Sequence, residues 1–174
     1  MDFFNVLFNR RSIRNYKDKE IPISKINQIL KAGMMAPSAH NQQLWEFVVI
    51  DDKSKINQIA DFHPYAKMLY GAPLVILICA NLSKEKAKGF FAQDCSASMQ
   101  NMLLAMHALG LGGVWISAYP RKKRIIKIRK MLNAPNDVIP FALIPVGYPD
   151  EKHIKIDRFD TKKIHKNEWN YKNA

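Results

Sequence analysis

Three guanidinium groups and a hydroxyl fall within five residues in Arg10-Arg11-Ser12-Ile13-Arg14. On extended backbone alternate side chains share a side, so Arg10, Ser12 and Arg14 would project together. Each guanidinium is a rigid fork of donors matched to phosphate or carboxylate, and it stays charged at any working pH. A hydroxyl between two forks adds a neutral donor. The chemistry offered is capture of a phosphorylated or otherwise anionic small molecule. From these five residues alone, a solvated basic turn is the preferred reading.

A second polar stretch, Ala36-Pro37-Ser38-Ala39-His40-Asn41-Gln42-Gln43-Leu44-Trp45, is rich in amides and reads as a loop. The remaining reactive types are scattered. Cys79 and Cys95 have no C-x-x-C spacing, so neither a disulfide scaffold nor a zinc site is expected, and Cys95 reads as a small buried residue. His63, His107, His153 and His165 have no metal-ligand spacing, and Asp94 reads as a charge at a helix start. Trp45 and Trp115 read as core, and Trp169 as an anchor for the tail.

These residues sit in 174 residues with 48% hydrophobic and 24% charged side chains, which implies one globular domain. The net charge of +12, from 27 Lys and Arg against 15 Asp and Glu, favours anionic partners without choosing among them. Much of the charge lies in Arg121-Lys122-Lys123-Arg124-Ile125-Ile126-Lys127-Ile128-Arg129-Lys130. There Ile125, Ile128 and Leu132 keep helical spacing, so the bases form the outer face of an amphipathic helix. A solvated face is preferred to a nucleic-acid patch, because no aromatics are interleaved and no binding motif is present. Met1-Asp2-Phe3-Phe4 lacks a basic leader, and the longest apolar run, Ala72 to Ala80, is too short to span a bilayer. A cytoplasmic setting without membrane attachment is expected.

In chain order, Asp2 should cap a short helix with Phe3, Phe4, Leu7 and Phe8 on one side. Ser24 should cap a second helix carrying Ile26, Ile29, Leu30 and Gly33; the glycine allows a close backbone approach or an early end. Phe47 to Ile50 reads as a strand and Lys53 to Ala60 as a helix. Leu74 to Cys79, apolar on both faces, reads as the central strand. Phe91 to Leu109 is the longest helix, with Met99, Met102, Leu103 and Met106 on one face. Val114-Trp115-Ile116 begins a short strand, and Val138 to Val146 is a strand whose Pro140 and Pro145 suggest an edge or irregular ends. Gly110-Leu111-Gly112-Gly113 follows a helix and precedes a strand, the reverse of a dinucleotide fingerprint, so a doubly wound nucleotide fold is disfavoured.

Three segments in this order, Arg10 to Arg14, Pro37 to Trp45 and Gly110 to Ala118, together with Pro145-Val146-Gly147-Tyr148-Pro149 and Asp157-Arg158-Phe159-Asp160, resemble the FMN-dependent nitroreductase family in its short single-domain form. The resemblance runs from about Phe8 to Trp169. It implies an α+β fold, a mixed sheet flanked by helices, and an intertwined homodimer. Residues 1–174 would form one domain, with 150–174 as a tail wrapping the partner. FMN would be the cofactor and NADH or NADPH the electron donor, in ping-pong two-electron reduction of a small-molecule acceptor such as a nitroaromatic or quinone. An alternative keeps the flavin fold for another reduction or dehydrogenation; a nucleic-acid-binding module ranks below both.

Carried onto matching positions, the resemblance gives Arg10, Arg11 and Ser12 to the FMN phosphate and ribityl end, with Arg158 returning to the phosphate. Arg14 would lie near the pyrimidine edge. Pro37, Ser38, Ala39, His40 and Asn41 would contact the ring largely from the second subunit. Ser117 and Ala118 would bring a backbone N–H to flavin N5. The family often has proline where this chain has Leu44, and glycine where it has Ala118. Phe62 to Tyr70 and Phe90-Phe91 are left to wall the pocket.

Overall fold

Leu74-Val75-Ile76-Leu77-Ile78-Cys79-Ala80-Asn81 is β2, and its seven apolar residues are buried because helices cover both faces of the sheet it centres. Period-2 alternation divides its side chains between two cores. Leu74, Ile76, Ile78 and Ala80 meet Ile26 and Ile29 of α2 (Ile23–Met34) and Met99, Met102 and Met106 of α4 (Phe91–Ala108). Val75, Leu77 and Cys79 meet Ile56 and Ile59 of α3 (Lys53–Phe62) and Ile128 of α5 (Lys122–Leu132). The computed structural model describes residues 2–152 and 156–169.

The sheet order is β1-β2-β4-β3, with β1 Trp45–Ile50, β3 Ile116–Ser117 and β4 Val138–Val146. Every ladder is antiparallel; the parallel component among the described residues is an isolated bridge from Ser12 to Gly113. The α+β reading therefore holds. β4 lies inside the order rather than at its edge, although β3 covers only Ala142 and Leu143. The irregularity expected at Pro140 is a bulge: Ile78 pairs with Ala142 and Cys79 with Pro140, leaving Phe141 as the extra residue. A proline has no N–H to give a ladder, and a bulge tolerates that.

Asp2 caps α1 (Phe3–Asn9) as expected, accepting from Asn5 N at 3.0 Å. The start of α2 differs from expectation: its cap is Pro22, and Ser24 lies inside the helix without a capping bond. The fixed φ of proline ends the preceding extended segment without help from a hydroxyl. Gly33 is the close approach between α2 and α4. A Cβ there would lie 2.8 Å from Met102 Cγ and 3.0 Å from Ser98 Oγ.

Candidate functional site

Two seams fix the arginine segment, which has no regular structure of its own. Ile13 N donates to Gly113 O at 3.0 Å, beside the Ser12–Gly113 bridge. Gly112 is required there, since a Cβ would meet Ile13 Cγ1 at 2.5 Å and Ile13 Cβ at 2.7 Å. On the other flank, the Glu151 carboxylate accepts from Arg14 N at 3.1 Å and Asn15 N at 3.0 Å. Lys17 N donates to Tyr148 O, and Asp150 N to Asn15 O. Half-buried Tyr16 donates its hydroxyl to Ile13 O, and desolvation, then Glu151, pushes its phenol well above the usual range. Ile13 itself is buried.

So held, Arg10 and Arg11 face Arg158 across a cavity of about 950 Å³, walled also by Leu7, Phe8 and Phe159. The Arg10 guanidinium is pulled below its ordinary value by burial first, then by the charges of Arg158 and Arg11. Arg11 bonds Phe8 O at 2.9 Å, Arg10 O at 2.7 Å and Ile156 O at 3.2 Å, which ties α1 to the C-terminal segment. Three like charges gathered around one cavity, with Asp157 as the single carboxylate lining it, form a donor set suited to a phosphate.

Arg14 is exposed and lines a different cavity, of about 410 Å³, with Tyr65, Lys67, Met68 and Trp115. Lys67 is a cation that sequence reasoning missed, because it sits in a segment without periodicity. Tyr65 and Met68 are pocket walls as expected of 62–70. Trp115 is a wall residue as well as a core residue, packing edge-on against Phe141 at 5.8 Å.

The strand leading past this cavity is anchored from below. Ser117 O accepts from Arg124 Nη1 at 3.0 Å and lies 3.1 Å from His63 Nε2. His63 Nδ1 accepts from Tyr65 N at 3.3 Å, so the proton belongs on Nε2 and His63 donates to Ser117. Burial first, and Arg124 next among the lowering causes, hold the His63 imidazole below the ordinary histidine range. The residue is 1% exposed. Nothing in its spacing marks His63 as an anchor for a strand 54 residues away.

Ala118 requires a correction. It is fully buried, and its N–H donates to Phe141 O at 3.0 Å; Tyr119 N donates to the same oxygen at 2.9 Å. The bulge turns that carbonyl toward the chain leaving β3 and consumes both amides. Ala118 therefore has no free N–H for a ring nitrogen, and Ser117 is the candidate left at this strand end.

The amide-rich loop is built around a buried carboxylate. Asp94 accepts from Ala39 N at 2.9 Å and from Gln42 Nε2 at 2.6 Å, while Gln42 Oε1 accepts from Lys86 N and Ala87 N. Asp94 and Gln42 are 4% and 5% exposed. Asp94 is thus a loop anchor rather than merely a helix-start charge. Ser38 Oγ accepts from Gln43 N, and Asn41 Oδ1 from Gln43 Nε2. His40, Asn41 and Gln43 take left-handed φ values of 50°, 49° and 46°, a conformation that surrounding bonds must hold. Leu44 is fully buried and belongs to the core.

Pro37, His40 and Asn41 are exposed, and Ser38 and Ala39 partly so. None of the five lines either cavity described above. One chain assembles Arg10, Arg11 and Arg158, and leaves Arg14 and the 37–41 loop apart from them. Cys79 and Cys95 are buried and unpaired; desolvation pushes the Cys79 thiol up to about 12 and Cys95 further still. Trp169 is 80% exposed and stacks on His165 at 4.6 Å; His153 lies outside the described residues. No helix among the described residues is long and apolar enough to cross a membrane.

A sequence model described as the nitroreductase family matches residues 7–63 and 60–148. A protein of Methanothermobacter thermautotrophicus, provisionally named as an NADH dehydrogenase/NAD(P)H nitroreductase, is 44% identical over 97% of this chain and 88% of its own length. A crystal structure from Parabacteroides distasonis, under a similar provisional name, superposes with a TM-score of 0.91 at 37% identity, covering 95% of this chain and 98% of that one. An FMN-dependent nitroreductase of Clostridium difficile R20291 gives 0.89 at 34% identity, covering 96% and 100%.

Proposed function

The chain belongs to the nitroreductase family, and on that premise we propose that it is an FMN-dependent oxidoreductase. NADH or NADPH donates in one half-reaction. A nitroaromatic, quinone or similar electrophile accepts in the other, over the same site in ping-pong order. FMN, when bound, supplies hydride acceptance from the nicotinamide and two-electron delivery to the acceptor. The observation that carries this reading is the convergence of Arg10, Arg11 and Arg158 on one cavity, which fits the phosphate end of that cofactor.

The chain's own residues then bind and orient. Arg10, Arg11 and Arg158 neutralise the phosphate through forked, charge-assisted bonds, with the Ser12 hydroxyl beside them. Arg14 would offer a fixed cation to the pyrimidine edge, from the cavity that Tyr65 and Trp115 wall. Ser117, its carbonyl clamped by His63 and Arg124, would be the β3-end residue offered to the ring. No protein acid or base is assigned, since positioning supplies most of what hydride transfer needs.

The site is completed by a second copy. Pro37, Ser38, Ala39, His40 and Asn41 would reach the partner's ring, and the described part of the tail would lie along the partner. Two features support a homodimer: the exposure of that loop, and the uncovered Phe3, Phe4 and Phe8, each more than 60% exposed. Residues 153–155 and 170–174 of the tail lie outside the described residues. Two buried, unpaired cysteines support a reducing cytoplasm.

The test is direct. Purified protein is expected to be yellow, to oxidise NAD(P)H, and to lose FMN affinity by about tenfold or more in Arg10→Ala and Arg158→Ala, the scale of one charged hydrogen bond. Protein that neither carries nor takes up FMN and leaves NAD(P)H unoxidised refutes the reading.

A further inference from the structure

Between α3 and α5 lies a groove of about 540 Å³ to which no role has been given, lined by Lys55, Gln58, Phe62, Lys127, Lys130 and Met131. Three ammonium groups rim it, no carboxylate lines it, and a flat apolar floor lies below. Its volume is that of a small-molecule site. The one ion pair seen among the described residues, Lys84 with Glu46, is elsewhere, so these lysines meet no carboxylate among the described residues.

Two cation–ring pairs, one with a ring lining the groove and one with a ring lining the Arg14 cavity, follow each other along α5. Lys127 Nζ lies 5.2 Å from the Phe62 ring centroid, and Arg124 Cζ lies 5.6 Å from that of Tyr65. Phe62 lines the groove and Tyr65 lines the cavity. Arg124, Lys127 and Lys130 follow one another at helical spacing, covering about 9 Å at ~1.5 Å per residue. A ligand with its reactive end in the cavity would thus meet positive charge continuously into the groove.

We propose that this groove holds the 2′-phosphorylated adenosine end of NADPH, and that Lys127 and Lys130, with Lys55 opposite, make the chain prefer NADPH to NADH. This rests on the flavoenzyme reading above. The apolar floor suits the adenine, and the ridge suits the pyrophosphate. The surplus of ammonium groups beyond the ridge suits the additional phosphate that distinguishes the two donors. A nucleic-acid surface is the poorer account, because the charge is concentrated over one small concavity that leads to the redox cavity.

The probes are adenosine 2′,5′-bisphosphate and 5′-AMP, titrated calorimetrically into the holoprotein at 0.05 M and about 0.15 M salt, the latter near physiological. The bisphosphate is expected to bind at least tenfold more tightly, and the double variant Lys127→Ala, Lys130→Ala to lose that margin. In steady state the same variant is expected to lower the NADPH-to-NADH ratio of kcat/KM about tenfold, through KM. Equal binding of the two probes, or indifference to the substitutions, overturns the proposal. So does equal displacement of the bisphosphate by short duplex DNA of any sequence, which would mark a diffuse polyanion surface. The titration does not depend on flavin chemistry, whereas colourless, inactive protein would refute the oxidoreductase reading by itself.

Discussion

Gln42 donates to the Asp94 carboxylate over 2.6 Å, with both side chains buried, and this pair ties the 37–43 loop to the first turn of α4. Asp94 also takes the Ala39 N–H. Replacing it with alanine leaves two inward donors without an acceptor, each at about 1–3 kcal/mol. Asp94→Ala is therefore expected to cost about 3 kcal/mol by urea denaturation, and Asp94→Asn roughly half of that. If either variant matches the parent, the loop is held by something else.

Gly112 and Gly33 are both tight, with opposite expected consequences. At Gly33 the obstacle includes the flexible end of Met102. The ~1–3 kcal/mol of overpacking is partly offset by about 1 kcal/mol of helix propensity. Gly33→Ala should therefore lower stability by about 1 kcal/mol and keep FMN affinity. At Gly112 the obstacle is the branched Cβ of Ile13, between the arginines. Gly112→Ala should weaken FMN binding about tenfold or more, measured by flavin fluorescence on dilution.

His63 gives a pH dependence with a definite sign. Its folded-state pKa lies below the ordinary 6.5, so the unfolded chain binds the proton more readily. Stability is full above about pH 6.5 and falls as pH drops through the lowered folded-state value. His63→Gln, which keeps a donor toward Ser117, should remove that part of the acid loss in thermal melts between pH 7 and 5. An unchanged profile would assign the loss to other groups.

The aromatic face of α1 tests the assembly. Phe4 and Phe8 stack at 5.8 Å and are 63% and 62% exposed. If a second copy covers this exposed face, charge placed on it will disrupt the contact. Phe4→Asp with Phe8→Asp is expected to give a monomer by sedimentation, with weakened FMN binding, since the 37–41 loop would no longer reach a partner. A dimer that persists with full FMN content would place the interface elsewhere.

What the sequence could reveal was whatever depends on periodicity or local chemistry. The two-faced apolar run of β2, the Asp2 cap, the basic outer face of α5 and the close approach at Gly33 are all of that kind. The family resemblance carried the site residues, and one chain gathers Arg10, Arg11 and Arg158 from distant segments. What stayed hidden depends on pairing at long range. The Phe141 bulge, which takes the Ala118 amide, follows from register between β2 and β4. Asp94, His63 and Lys67 are ordinary in their own neighbourhoods, and their roles come from what the fold sets beside them. Pro22 rather than Ser24 caps α2 because fixed backbone geometry replaced a side-chain bond.

The seam between Ile13 and Gly113 joins chain that emerges from the ribosome to chain that emerges about a hundred residues later. An anion grip assembled this way cannot template early collapse, because nothing locks the arginines until the last strands have zipped. Nascent polypeptide would stay indifferent to flavin until the β4 segment and Arg158 have been made, and cofactor loading would then report a closed seam.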